Sequence, residues 1–141
     1  MKKTDLILLI EDDPITNYIN SRIIKKMELA SETEVALNGQ DALSLIQDRI
    51  DNNKNCPDLI FLDINMPVMD GFEFLENFAK LDFPNKEKVV IIMLTTSTHI
   101  KDMDKLVFFS NLELIGKPLN KEKLLFVMNK YFNLSGLSKI A

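Results

Sequence analysis

The sequence has no tryptophan, one cysteine and one histidine among its 141 residues. The single thiol, Cys56, excludes an intramolecular disulfide and leaves a zinc site without a second thiol ligand. Redox chemistry through paired cysteines is excluded as well. A reducing, cytoplasmic location is the expectation for a chain with this cysteine content.

Long apolar runs and dense basic blocks are also absent. The longest apolar runs, Leu6 to Ile10 and Val89 to Leu94, are far shorter than the roughly 20 residues that span a bilayer. The first of them runs directly into acidic residues, which excludes a secretion signal. Seventeen basic and 21 acidic side chains give a net charge of −4, so attraction to nucleic acid is weak. We expect no membrane span and no nucleic-acid binding by this chain alone.

Hydrophobic residues make up 46% of the chain, enough for one globular core. Apolar, β-prone runs lie near residues 6–10, 33–37, 58–62, 89–94 and 112–115, and helical spacing follows each run. The first, third and fourth runs are almost continuously apolar, which is typical of parallel strands covered on both faces. This pattern predicts a single-domain, doubly wound α/β fold with a five-stranded parallel sheet. We expect the flavodoxin-like order 2-1-3-4-5 and five helices.

The predicted domain covers residues 1–133, and residues 134–141 are predicted to be a tail without an output domain. In the first predicted helix, Ile15, Ile19 and Ile23 recur at four-residue steps, which predicts that they face the core. A weaker stripe from Ile100 to Val107 predicts the fourth helix. The apolar run of Leu106, Val107, Phe108 and Phe109 either packs in the core or is partly exposed for a partner.

Polar side chains follow the predicted strands at their carboxyl ends. They are Glu11 and Asp12 after the first strand, Asp63 at the end of the third, Thr95 and Thr96 after the fourth, and Lys117 after the fifth. In a parallel α/β sheet these ends meet at one edge, where ligands bind.

Three clustered carboxylates need a cation, because two unit charges about 4 Å apart repel by about 4 kcal/mol at an effective dielectric constant of 20. A ligand set of oxygens alone favours Mg²⁺, with Mn²⁺ as the alternative, over zinc. A hydroxyl, an ammonium and a metal around one carboxylate suit phosphoryl transfer onto an aspartate nucleophile.

Structural explanations exist for each of these residues. Asp63 can be a helix cap or a salt-bridge acid, and Glu11 and Asp12 can be carboxylates on a solvated loop. Thr95 can satisfy backbone groups at a strand end, and Lys117 can be a surface charge. Asp13 precedes Pro14 at a helix start, which favours an N-cap over a metal ligand.

Four segments together resemble one family. They are LLIEDDP at residues 8–14, PDLIFLDINMPVMDG at 57–71, VIIMLTTS at 90–97 and IGKPL at 115–119. They occur in the order and spacing of the receiver domain of bacterial-type two-component response regulators, and the chain is similar to the stand-alone CheY-like members over about residues 4–133. Any one segment alone is a weak signal, whereas the set of four is specific.

The resemblance implies a Mg²⁺ site, with Mn²⁺ as the alternative metal. Asp12 would bind the metal directly and Glu11 through water. The backbone carbonyl of Asn65 would complete the shell. The implied metal ligands are therefore Glu11, Asp12, Asp63 and Asn65.

The resemblance also implies a signalling switch that catalyses only its own phosphorylation and dephosphorylation. Asp63 would take the phosphoryl group from a phosphohistidine of a sensor histidine kinase or histidine phosphotransfer protein. Thr95 would be the switch hydroxyl and Lys117 the lysine that pairs with the phosphoryl group, in a Lys117–Pro118 peptide that is often cis. Leu114 stands where many receivers have an aromatic residue, so the usual aromatic readout cannot operate as such.

The implied output is altered binding of an unknown protein target through the face of the fourth helix, the fifth strand and the fifth helix. We expect a monomer or a weak, phosphorylation-linked dimer. Three other functions remain: a haloacid-dehalogenase-type phosphatase, a receiver-shaped interaction module without phosphorylation, and a flavodoxin-like redox carrier. The phosphatase expects a second acid where this chain has Asn65. The complete acceptor set argues against the interaction module, and the redox carrier lacks a phosphate loop after the first strand.

Overall fold

Strands and helices alternate along the chain in the computed structural model, which describes residues 4–96 and 111–132. The elements are β1 Thr4–Ile10, α1 Pro14–Lys26, β2 Ala30–Ala36, α2 Gly39–Asp51, β3 Leu59–Asp63, α3 Gly71–Phe78, a 3₁₀ turn at Lys86–Lys88, β4 Val90–Thr95, β5 Leu112–Gly116 and α4 Lys121–Phe132. The fifth predicted helix corresponds to α4. The predicted helix from Ile100 to Val107 lies outside the described residues.

The five strands form one sheet in the order β2-β1-β3-β4-β5, and every pair is parallel. This confirms the predicted fold class and places β2 at an edge. The register aligns Ile10 with Leu62 and Asp63 with Leu94, so the carboxyl ends of β1, β3 and β4 lie side by side.

Alternate residues of the central strands enter two apolar layers, one on each face of the sheet. On one face, Leu8 and Ile60 pack with buried side chains of α2 and α3. On the other face, Ile7 and Phe61 pack with buried side chains of α1 and α4. Burial on both faces explains the nearly continuous apolar sequence of β1, β3 and β4. No α-helix among the described residues is long and apolar enough to cross a membrane.

Helix α1 is packed differently from the prediction. Ile15 is 70% exposed and Ile19 is 49% exposed, whereas Asn17, Asn20 and Ile24 are buried. The isoleucine spacing predicted the helix correctly, but of the three isoleucines only Ile23 packs against the core. Periodicity shows that residues share a face, and tertiary contacts decide which face is packed. Here the buried side chain of Asn17 contacts the backbone at the end of β1.

The start of α1 is fixed by Asp13, as predicted. Its carboxylate accepts hydrogen bonds from the Ile15 backbone N–H at 3.2 Å and from the Thr16 hydroxyl at 2.6 Å. Pro14 occupies the first helical turn, where no backbone N–H is required. Asp13 is therefore engaged as an N-cap, and the helix begins directly beside the predicted metal ligands.

Candidate functional site

Three carboxylates meet where β1 and β3 end. Glu11 follows the last residue of β1, and Asp63 is the last residue of β3. One carboxylate oxygen from each of Glu11, Asp12 and Asp63 lies within 4.8 Å of the other two. Glu11 and Asp63 are buried, and Asp12 is exposed. The cluster thus consists of two buried carboxylates and one carboxylate that is exposed to solvent.

Lys117 joins two of these carboxylates from the end of β5. Its Nζ lies 2.8 Å from Oε1 of Glu11 and 3.1 Å from Oδ1 of Asp63. Burial lowers the pKa of the Lys117 ammonium, but the hydrogen bonds and charges of the two carboxylates outweigh burial and hold its pKa above the ordinary value. The lysine therefore stays charged and offsets part of the acidic cluster.

The backbone holds Lys117 in this position. Its N–H donates to the Thr95 carbonyl at 2.8 Å, and the Lys117–Pro118 peptide is cis, as the resemblance implied. The lysine side chain is 22% exposed. The amine thus approaches Asp63 from an anchored strand end.

The proximity of Glu11 changes the pKa of Asp12. A hydrogen bond shared with the Glu11 carboxyl, followed by partial burial, raises the pKa of Asp12 above its ordinary value. Oε1 of Glu11 contacts Lys117, and Oε2 of Glu11 accepts a hydrogen bond from the Asp13 N–H at 3.2 Å. Glu11 is therefore oriented from both sides, whereas Asp12 is exposed to solvent.

The oxygen donor set fits Mg²⁺. This ion prefers oxygen ligands near octahedral geometry and usually takes one or two carboxylates together with waters. Asp12 and Asp63 supply two such carboxylates, with Glu11 beside them. A divalent cation would also offset the negative charge of the clustered carboxylates. The cluster and the ion are therefore chemically matched.

Thr95 lies beside the end of β3, and Asn65 lies in the loop that follows β3. Asp63 is paired with Leu94, so Thr95 is the next residue towards the rim on the neighbouring strand, and it is buried. Asn65 lies two residues beyond Asp63 and is exposed. Leu114 pairs with Met93 and packs against the core layer under α2 and α3. Leu114 is thus a core-packing residue at the position of the usual aromatic ring.

Asn17 is a supporting residue that the sequence patterns did not indicate. It is 5% exposed, and its side-chain amide donates to the Glu11 carbonyl oxygen at 2.8 Å. Its Oδ1 is buried without a hydrogen-bond partner among the described residues. The amide ties α1 to the backbone that carries Glu11 and Asp12. A pair of amides three residues apart, Asn17 and Asn20, was the available signal in this helix.

Gly71 allows the backbone of the loop after β3 to pass close to the Asp63 backbone. A Cβ at this position would lie 2.9 Å from the Asp63 carbonyl oxygen and 3.0 Å from the Ile64 Cα. The Gly71 N–H donates to the Ile64 carbonyl at 2.9 Å, which closes the loop after β3. Glycine is required here because of close backbone approach.

We expect Gly71→Ala to destabilise the fold and to displace Asp63. Both clashing atoms are backbone atoms, so no rotamer change relieves the contact. Overpacking of this kind costs about 2 kcal/mol, a fall in Tm of roughly 6–10 °C for a chain of this size. Thermal unfolding measures the fall in Tm, and the phosphorylation rate measures the effect of displacing Asp63.

Gly39→Ala is the matched control for this change. A Cβ at Gly39 would lie 2.8 Å from Cγ of Met69, a flexible side chain that can move aside. We therefore expect a smaller fall in Tm for Gly39→Ala. Equal falls for the two variants would contradict the role given to the Gly71 contact.

The sequence-family model of the response regulator receiver domain matches residues 7–129 of the chain. That range includes both acidic strand ends, Thr95 and Lys117, and it covers most of the described structure.

Similar proteins include response regulators and histidine kinases. The chain is 28% identical over 130 residues to the probable C4-dicarboxylate response regulator DctR of Priestia megaterium, covering 92% of this chain and 53% of that protein. It is 32% identical over 140 residues to hybrid signal transduction histidine kinase B of Dictyostelium discoideum, covering 92% of this chain and 7% of the kinase. The chain thus spans about half the length of one relative and a small part of the other.

A solved structure shares the fold. The two-component response regulator from Cytophaga hutchinsonii superimposes with a TM-score of 0.78 at 29% identity, covering 92% of this chain and 97% of that one.

Proposed function

The chain belongs to the response regulator receiver domain family, and we propose that it accepts a phosphoryl group on Asp63 from a phosphohistidine. Members of this family are signalling switches that interact with histidine kinases or phosphotransfer proteins. The observation that carries the proposal is the contact of Lys117 with both Glu11 and Asp63 beside the three-carboxylate cluster. This arrangement combines a nucleophile, a cation site and a fixed ammonium.

The transfer moves one phosphoryl group between two side chains. An oxygen of the Asp63 carboxylate donates an electron pair to phosphorus and forms a P–O bond. The P–N bond to the donor imidazole breaks, and its electron pair stays on the ring nitrogen. The other ring nitrogen carries a proton, so the imidazole leaves neutral. The product is an acyl phosphate on Asp63.

Residues around Asp63 have distinct tasks in this step. Glu11, Asp12, Asp63 and the Asn65 carbonyl would hold Mg²⁺, which when bound supplies positive charge to the phosphoryl oxygens. Lys117 already lies 3.1 Å from Oδ1 of Asp63, where it can hold a phosphoryl oxygen. The Thr95 hydroxyl would bind another phosphoryl oxygen, and its position would therefore depend on phosphorylation.

The proposed output is a population shift. Thr95 pairs with Gly116, and Lys117 follows in the same chain segment, so engagement of both side chains by a phosphoryl group acts on β4 and β5 together. We propose that this shift alters binding of a target protein at the face formed by β5, α4 and the predicted helix outside the described residues.

Intact-protein mass spectrometry with a small phosphodonor tests the proposal. We expect phosphoramidate with Mg²⁺ to add one phosphoryl group, and EDTA to prevent it. Steady release of phosphate from unrelated phosphomonoesters would instead identify a phosphatase. No adduct with any donor would identify an interaction module without phosphorylation. Either result would overturn the proposal.

A further inference from the structure

Lys123, in the first turn of α4, binds the chain on both sides of Lys117. Its Nζ donates hydrogen bonds to the Gly116 carbonyl oxygen at 2.7 Å and to the Pro118 carbonyl oxygen at 2.9 Å. Gly116 and Pro118 are the direct neighbours of Lys117 in the chain. One ammonium on α4 therefore holds the two carbonyl groups that flank the lysine of the acidic cluster.

Lys123 occupies a position where a lysine is locally unfavourable. The Asn120 side chain accepts a hydrogen bond from the Lys123 backbone N–H at 2.9 Å, so Asn120 is the N-cap of α4 and Lys123 is its third helical residue. Glutamate or glutamine is typical of that position, because its side chain accepts a hydrogen bond from the N-cap backbone. A positive charge in the first turn also opposes the helix macrodipole. The preferences of a helix start do not account for this lysine, whereas its two carbonyl contacts do.

Both ends of one planar peptide group are held beside Lys117. The Gly116 carbonyl and the Lys117 N–H belong to the same peptide group, whose atoms lie in one plane. The carbonyl accepts a hydrogen bond from Lys123, and the N–H donates one to the Thr95 carbonyl at 2.8 Å. The orientation of this plane sets the direction in which the Lys117 side chain leaves the backbone. Hydrogen bonds to α4 and to β4 therefore fix that direction together.

From these contacts we infer that Lys123 is a positioning residue for Lys117, which it holds so that the Lys117 ammonium faces Asp63. The Lys117 Nζ lies 3.1 Å from Oδ1 of Asp63, at the end of a flexible four-carbon side chain. A rotation of the peptide plane at the base of that side chain would move the ammonium away from the carboxylate. The inference rests on the proposed function, because the position of Lys117 affects a reaction rate only if Asp63 takes the phosphoryl group.

Three variants in the first turn of α4 test this role. Lys123→Met removes the ammonium and both hydrogen bonds, and it keeps an unbranched side chain. Lys123→Arg keeps the positive charge and has enough N–H donors for two carbonyl groups. Lys121→Met is the matched control, because Lys121 is an exposed lysine in the same helical turn. The reaction probe is phosphoramidate with Mg²⁺, and the structural probe is hydrogen exchange of the Lys117 backbone amide, followed by NMR in EDTA.

We expect Lys123→Met to slow phosphorylation by phosphoramidate about fivefold, because the Lys117 ammonium is no longer held in place. Its Lys117 amide should exchange about fivefold faster than that of the wild type, since the peptide group is held at one end only. Lys123→Arg should restore both values, and Lys121→Met should change neither. The Tm of Lys123→Met should stay within about 2 °C of the wild-type value, because relief of the unfavourable charge at the helix start offsets the loss of two exposed hydrogen bonds.

A double-mutant cycle with Lys117→Met separates positioning from a direct effect of the Lys123 charge. A residue that acts through Lys117 has nothing to position once the Lys117 ammonium is gone. We therefore expect Lys123→Met to cause no further slowing in the Lys117→Met background. A charge that attracted the phosphodonor directly would instead slow both backgrounds by the same factor.

Three results would overturn the inference while leaving the proposed function in place. The first is an unchanged rate or unchanged Lys117 amide exchange in Lys123→Met. The second is the same slowing by Lys123→Met with and without Lys117, which would assign the effect to charge alone. The third is an equal slowing by Lys121→Met. Failure of phosphoramidate to label the wild-type chain would instead overturn the proposed function and the inference with it.

Discussion

Replacing Asp63 with asparagine is expected to abolish phosphorylation of the chain. The amide has nearly the shape of the carboxylate but lacks the negative charge and the nucleophilic oxygen that form the acyl phosphate. It also removes one carboxylate from the cluster with Glu11 and Asp12, which weakens Mg²⁺ binding. Mass spectrometry after incubation with phosphoramidate and Mg²⁺ measures the first effect, and magnesium titration by calorimetry measures the second.

Asp70→Asn is the matched control for this substitution. Asp70 lies in the same loop and caps α3, where its side chain accepts a hydrogen bond from the Glu73 N–H at 2.9 Å. Asparagine is an equally good N-cap, so this variant loses one charge without losing the cap. We expect it to accept the phosphoryl group like the wild type. A phosphoryl adduct on Asp63→Asn of wild-type yield would show that another residue is the acceptor.

Replacing Lys117 with methionine is expected to affect both stability and phosphorylation. Without the ammonium, Glu11 and Asp63 remain buried as carboxylates that have lost their shared cation. Breaking a buried pair costs about 3–5 kcal/mol. Since the lysine is 22% exposed, we expect about 2 kcal/mol and a fall in Tm of roughly 6–10 °C in EDTA. Loss of the cation facing the phosphoryl group should slow phosphorylation by about 10²-fold.

Magnesium should rescue the stability of Lys117→Met. A divalent cation would take over part of the charge that the lysine offsets, so saturating Mg²⁺ should raise the Tm of this variant more than that of the wild type. Lys121→Met, which removes an exposed lysine at the start of α4, is the control for net charge. If Mg²⁺ raised the Tm of all three proteins equally, the acidic cluster would not be the magnesium site.

The sheet was predictable because its sequence signal depends on burial alone. Strands buried on both faces read as continuous apolar runs, and β1, β3 and β4 do. The order of the strands followed from fold-level rules, and the strand-end residues then had to meet at one rim. The contact of Lys117 with Glu11, more than a hundred positions away in the chain, follows from this topology.

Details that depend on tertiary contacts were not predictable. The isoleucines of α1 mark a helix, but burial of Asn17 against the Glu11 carbonyl places Ile15 and Ile19 in solvent. Nothing in the spacing of apolar residues reports such a contact. The positive φ of Val68, 66°, was equally hidden, because valine is a residue that sequence patterns assign to strands. Both departures lie beside the proposed acceptor, where function can outweigh local preference.

Reductive trapping of the phosphorylated chain tests the central claim most directly. Borohydride supplies hydride to the carboxyl carbon of an acyl phosphate, phosphate leaves, and a second hydride addition gives homoserine. After treatment with phosphoramidate and Mg²⁺, we expect peptide fragmentation to find homoserine at position 63, and to find none when EDTA is present. Homoserine at another acidic position, or an adduct that forms equally well in EDTA, would contradict a magnesium-dependent acceptor at Asp63.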